Sequence, residues 1–168
     1  ADERYNAQMK KLGIITLKPL NDTILKILNR NQTIVDPPFF WSFGDIQKKI
    51  NKNEISLPFP KGKKYRVIQG YLGEFSHNTK YSSYALDFEL KEGDVVSAAD
   101  DGFVVGVIKK HNKHGNDVSW TGFANFITLY HPKSGLFTQY VHLKKNGSLV
   151  KVGDRVKKGQ AIGFSGNT

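Results

Sequence analysis

The 168 residues include no cysteine. Disulfides and thiolate metal sites are therefore excluded, while the compartment stays open. Long apolar runs are also missing: "DTILKIL" and "GFVVGVI" are short and interrupted, so no helical segment here spans a bilayer. Acidic residues are scarce beside basic ones, 15 Asp and Glu against 25 Lys and Arg. No RNP-like aromatic motif, zinc finger or basic helix accompanies the lysines, and no nucleic-acid partner is expected. P-loop and dinucleotide fingerprints do not occur. "GFSG" at 163–166 lacks the strand–Ser–helix setting of a nucleophile elbow.

The charge that is present has a consequence. A formal net charge of +10 draws the protein to something anionic: nucleic acid, anionic lipid or an anionic cell wall. The lysines lie in "KGKKYR", "IKKHNKH", "HLKKNG" and "VKVGDRVKK", mostly at turns between apolar segments. The hydrophobic content of 39% and aromatic content of 12% are those of a globular domain.

Three regions follow from the pattern. Residues 1–36 form an N-terminal extension or the remnant of a preceding domain. Within it "DERYNAQMKKLG" reads as a short helix stopped by Gly13, and the apolar spacing of "NDTILKILNRNQTIV" does not choose between helix and strands. Residues 37–56 are a linker in which two prolines forbid regular structure and four aromatics call for burial. From residue 57 to 168 the pattern is mainly β, a sandwich or barrel of short strands. "YALDFEL" alternates, with Tyr84, Leu86, Phe88 and Leu90 on one face and Ala85, Asp87 and Glu89 on the other. "DVVSAADDGFVVGVIKK" offers two strands about an "ADDG" turn, and "PKSG" joins "NFITLYH" to "LFTQYVHL" as a hairpin.

Candidate chemistry sits on a few polar residues. His142 ends a strand-like run in which Leu136, Thr138, Tyr140 and His142 share a face; an imidazole there is suited to general acid–base work. Asp87 is out of place in a strand interior and must face solvent, a hydrogen-bond network or a metal. His77 lies in the Ser/Asn/Thr-rich loop leading to that strand, an arrangement that can assemble a metal site. His111 and His114 form an H-x-x-H on a Gly/Asn/Lys hairpin tip, without the helical turn that would aim both at one ion. His131, before Pro132, reads as a turn cap.

Taken in order, "QGYLGEFSHNTKYSSYALDFEL", "EGDVVSAADDGFVVGV", "FITLYHPKSGLFTQYVHL" and "VKVGDRVKKGQAIGFSGNT" resemble consecutive segments of the lysostaphin-type (LytM-like) zinc metallopeptidases. "VGDRVKKGQ" alone is shared with biotinyl and lipoyl carriers, but the small-residue–Met–Lys context of a carrier is missing. The resemblance implies the duplicated hybrid motif, a β-sandwich-like fold with a shallow groove over one sheet. It also implies a zinc cofactor, peptidoglycan cross-bridges as substrate and an extracytoplasmic location. Asp87 matches the family's aspartate ligand. His142 matches the histidine of Y-x-H-L, which assists catalysis without binding metal.

Two departures qualify the match. The commonest pattern has its first histidine four residues before the aspartate, where this chain has Ser83; His77, ten residues upstream, fits the branch in which "FSH", a loop and "YAxDF" follow one another. The family also continues past "SGNT" into the H-x-H strand that carries the second histidine ligand, so a longer protein or a separate segment is expected to supply it. The expected activity is zinc endopeptidase cleavage of peptidoglycan peptides. The alternative is a catalytically inactive LytM-like module that binds or activates another wall hydrolase.

Overall fold

In the computed structural model the described residues are 54–79, 82–112 and 123–167. The expected N-terminal helix, the expected linker up to residue 53 of its 37–56, and His114 lie outside them. Among the described residues there are nine strands and no α-helix: β1 Val67–Gln69, β2 Asp87–Phe88, β3 Val95–Ser97, β4 Gly102–Ile108, β5 Phe126–His131, β6 Leu136–Val141, β7 Leu143–Ser148, β8 Arg155–Val156 and β9 Ala161–Ser165. They form a two-stranded sheet β1-β2, a three-stranded sheet β3-β9-β7 and a four-stranded sheet β6-β5-β4-β8. Every pairing is antiparallel, and no sheet closes into a barrel. The mainly β expectation holds.

One apolar cluster joins the two larger sheets. Val96, Leu143 and Ile162 come from the three-stranded sheet, and Ile127, Leu129 and Val156 from the four-stranded one. The sheets approach closely enough that a Cβ on Gly163 of β9 would lie 3.3 Å from Ile127 Cδ1 of β5. Ile127, Leu129 and Ile162 are fully buried, each contributing about 1.5–3 kcal/mol by leaving water. Strand β5 is central, with neighbours on both sides, and even Thr128 and His131 on it are buried. It reads in sequence as a nearly continuous apolar run for that reason.

Turn chemistry behaves as its residues dictate. "PKSG" joins β5 to β6, with His131 opposite Leu136 and Gly135 at φ 76°. Gly153 and Gly159, at φ 94° and 80°, close the "VGD" and "KKG" turns, where a left-handed backbone favours glycine. "ADDG" separates β3 from β4, but these strands belong to different sheets. It is a crossing between layers and not a hairpin. The alternation of residues 84–90 is also shorter than expected: only Asp87 and Phe88 pair as strand, and Tyr84 and Leu86 are exposed. A turn, Ala85 N–H to Ser82 O at 2.9 Å, takes the backbone of residues 82–85 out of the ladder.

A buried polar chain runs beneath the β5–β6 hairpin. His131 is 1% exposed and is no simple turn cap. Its Nδ1 donates to the Asp101 carbonyl at 2.9 Å and its Nε2 lies 2.8 Å from Thr138 Oγ1. The Thr138 and Tyr140 hydroxyls lie 3.0 Å apart, and the Tyr140 oxygen accepts the Ala99 N–H at 2.7 Å. Tyr140 → Phe strands that buried N–H and should cost about 1–3 kcal/mol in chemical denaturation. Burial holds the Tyr140 phenol above its ordinary 10.0, opposed by its bonds to Thr138 and Ala99. A raised phenol stabilises the fold fully below that ordinary value and loses this contribution as pH climbs through the folded one. Alkaline unfolding should therefore be steeper in the wild type than in the phenylalanine variant; equal slopes would contradict this.

Candidate metal centre

The site begins with a flaw in the smallest sheet. Val67 pairs with Phe88 and Gln69 with Asp87, so two steps on β1 answer one on β2. The surplus residue is Ile68, a β-bulge of the kind that re-aims a side chain. It makes Gln69 the direct cross-strand neighbour of Asp87. Behind β2, the Phe88 ring meets Phe59 edge-on at 5.4 Å, and Phe59 is itself buried against Tyr65. That packing anchors the strand that carries Asp87.

The loop from Gly70 to Leu86 folds back over this sheet and is held by its small polar residues. Leu72 N–H donates to Ser83 O at 2.8 Å and His77 N–H to Gly73 O at 2.9 Å. Thr79 and Ser82 hydroxyls lie 2.7 Å apart, and Ser82 Oγ donates to Ser76 O at 2.8 Å. Ser and Thr serve here because they bond the neighbouring backbone in place of a ladder.

These supports bring His77 to Asp87, with Nε2 and Oδ1 3.2 Å apart. On the other side of the ring, Nδ1 lies 2.8 Å from the Gly70 carbonyl. A carbonyl can only accept, so Nδ1 carries a proton and Nε2 is the ring atom that faces the carboxylate oxygen. The space between them suits either a second proton or a metal ion. The imidazole side chain is 5% exposed and the carboxylate 41%, so the pair is sealed on its histidine side and open on its aspartate side. The second carboxylate oxygen, Oδ2, accepts from Gln69 Nε2 at 3.1 Å, and the same nitrogen donates to Ser76 Oγ at 2.7 Å. Gln69 and Ser76 are absent from the sequence-based candidates, because the bulge that sets Gln69 opposite Asp87 has no sequence signal of its own.

His142 lies on a different element from this pair, between a strand of the four-stranded sheet and one of the three-stranded sheet. It is exposed and occupies the single position between β6 and β7, with φ 60°. That backbone turn ends the alternation of Thr138 and Tyr140, so His142 does not continue their strand face. Among the described residues no three His, Cys, Asp or Glu side chains converge as a metal site; His142 is not a third ligand beside His77 and Asp87. His111 packs edge-on against Phe123 at 5.4 Å, and its backbone N–H and carbonyl are both bound by the buried Asn125 side chain.

Known proteins resemble the chain over this region. A metalloprotease of Buchnera aphidicola is 36% identical over 71% of the chain, and the glycyl-glycine endopeptidase ALE-1 of Staphylococcus capitis 40% over 51%. The peptidoglycan DD-endopeptidase ShyA of Vibrio cholerae is 29% identical over 86%. The chain spans 29%, 20% and 31% of the lengths of these three relatives. Among solved structures, a zinc-containing peptidase from Vibrio cholerae matches 66% of this chain and 31% of its own at 27% identity and a TM-score of 0.45. Lysostaphin in solution matches 62% and 38% at 30% identity and a TM-score of 0.44. The profile of Peptidase family M23 matches residues 81–168, just over half the chain and inclusive of β2 through β9. The chain belongs to peptidase family M23, in its lysostaphin-type, LytM-like branch.

Proposed function

We propose that this chain forms part of a zinc endopeptidase that hydrolyses peptide bonds in bacterial peptidoglycan outside the cytoplasm. The observation that carries the reading is the apposition of His77 Nε2 and Asp87 Oδ1 at 3.2 Å, with the ring proton committed to Gly70. A neutral imidazole nitrogen and a carboxylate oxygen are a donor set that suits zinc. The printed names of the glycyl-glycine and DD-endopeptidase relatives support the wall peptide as substrate.

His77 and Asp87 would hold the ion, and a catalytic zinc takes three protein ligands. The remaining one, the family's H-x-H histidine, has no counterpart among the 168 residues and would have to come from another segment. When bound, the ion supplies Lewis-acid polarisation of the scissile carbonyl and a water of lowered pKa. The Asp87 side chain is 41% exposed, so substrate would reach the ion from the aspartate side of the pair. His142 stands exposed at the β6–β7 junction, free of any ligand duty, and is assigned the movement of a proton or the steadying of the oxyanion. The net charge of +10 holds the protein near an anionic wall polymer.

In the full-length protein, His77 → Ala and Asp87 → Ala should each abolish stoichiometric zinc, measured by elemental analysis. Hydrolysis of purified sacculi should fall by more than the roughly 10–100-fold that a ligand's supporting neighbour costs. His142 → Ala should keep its zinc and lose about 10²–10⁴-fold in turnover. Zinc retained at wild-type level in both ligand variants sinks the assignment, and a wild-type protein free of zinc favours the inactive module.

Adsorption to sacculi should weaken as ionic strength rises from about 0.1 M, where charges are felt over about 10 Å, to 1 M, where the reach is about 3 Å. Pull-down at the two salt concentrations measures it. Equal retention would show that charge is not what holds the protein to the wall.

A further inference from the structure

Gln69 faces Asp87 across the bulge and its amide nitrogen makes two bonds, to Asp87 Oδ2 at 3.1 Å and to Ser76 Oγ at 2.7 Å. A primary amide nitrogen has two hydrogens, and both are used. The orientation is fixed by chemistry: the amide oxygen in that place would oppose a carboxylate. Asp87 is thereby left with Oδ1 alone for the space it shares with His77 Nε2. Ser76 immediately precedes His77, so one side chain ties the strand that carries the carboxylate to the loop that carries the imidazole.

Gly73 makes room for this bracket. A Cβ at residue 73 would lie 2.5 Å from Gln69 Cγ, 2.9 Å from Cδ and 3.0 Å from Oε1. Its φ is not in the left-handed region, in contrast to Gly62 and Gly93. The glycine is required there for space and not for backbone conformation. An alanine there would require the Gln69 side chain to move from Cγ outward.

We propose that Gln69 is the positioning residue of this metal site, turning Asp87 into a one-oxygen ligand and locking its approach to that of His77, with Gly73 as the position that admits it. The proposal rests on the metal reading of His77 and Asp87. Carboxylate ligands hold their metals best when their outer oxygen is hydrogen-bonded, and loss of such a partner typically costs about 10–100-fold in metal affinity.

The test is zinc affinity of the full-length protein, measured by competition with a chromophoric chelator, beside the melting temperature of the metal-free form. Gln69→Ala should weaken zinc binding about 10–100-fold and leave the metal-free melting temperature at the wild-type value. Gly73→Ala, which keeps the glutamine but displaces it, should lower affinity in the same direction. In the cobalt-substituted protein both variants should alter the visible absorption bands, which report ligand geometry and are insensitive to a general loss of stability. Wild-type affinity and spectra in both variants would overturn the proposal, as would lowered melting with zinc affinity intact. His77→Ala tells the two levels apart: if it binds zinc as the wild type does, the metal reading itself fails, whereas its loss of zinc beside an unaffected Gln69→Ala defeats the positioning role alone.

Discussion

An imidazole nitrogen and a carboxylate oxygen are held face to face in this molecule, and the way the ring is fixed decides what can sit between them. The Gly70 carbonyl accepts from the Nδ1 of His77 at 2.8 Å, which turns Nε2 toward Asp87 Oδ1 at 3.2 Å. The same contact would be an unremarkable hydrogen bond if the ring were turned over. What prevents that is the backbone of residue 70, set by the end of β1, and the closure of the loop by Leu72–Ser83 and His77–Gly73 bonds. The chemistry of the pair is therefore decided by a main-chain oxygen that carries no sequence signature.

Asp87 sits on a two-stranded ribbon that needs external support, since such a ribbon is marginal by itself. Phe88 provides part of it through Phe59, and Arg66 and Glu89 close the ribbon's outer side through two N–H···O contacts at 3.0 and 3.1 Å. Both charged groups are well exposed, so this pair adds at most about 1 kcal/mol. The aromatic contact is the stronger tether. The larger sheets supply rigidity at one remove, through a single cluster shared by both and the buried hydroxyl chain from His131 to Ala99.

Much of the β domain was legible because its signals are local. "PKSG", "VGD" and "KKG" are turns whose glycines adopt φ values that other residues resist, and the apolar run of β5 marks a strand buried on both faces. The misread segments share a cause. Tyr84 and Leu86 alternate correctly for a strand, yet tertiary contacts drew them elsewhere: Tyr84 meets Tyr71 edge-on at 5.8 Å and its neighbours follow a turn. Alternation describes what a strand would bury, not whether a partner is present to pair with it. "ADDG" misled in the same way, since a turn signal does not say which sheet the next strand joins. His77 and Asp87 were visible as types, and their side chains meet at 3.2 Å. Gln69 was not, because a bulge shifts register by one residue and nothing in a lone "VIQG" announces it.

His142 shows how backbone strain and side-chain purpose can be weighed. β6 belongs to the four-stranded sheet and β7 to the three-stranded one, and His142 is the one residue between them. Passing from one layer to the other without a loop demands a sharp local turn, achieved with φ 60°. On a side-chain-bearing residue that conformation costs about 1–2 kcal/mol, and glycine would relieve it. Fixed partners surround the position: the His142 carbonyl accepts from Gly166 N–H at 2.8 Å. Asn125, fully buried, donates to the Leu143 carbonyl at 3.0 Å. The turn is therefore imposed from both sides, and the strain belongs to the fold. Histidine is among the few non-glycine residues enriched in this region of backbone space, so the position can carry an exposed imidazole at modest cost.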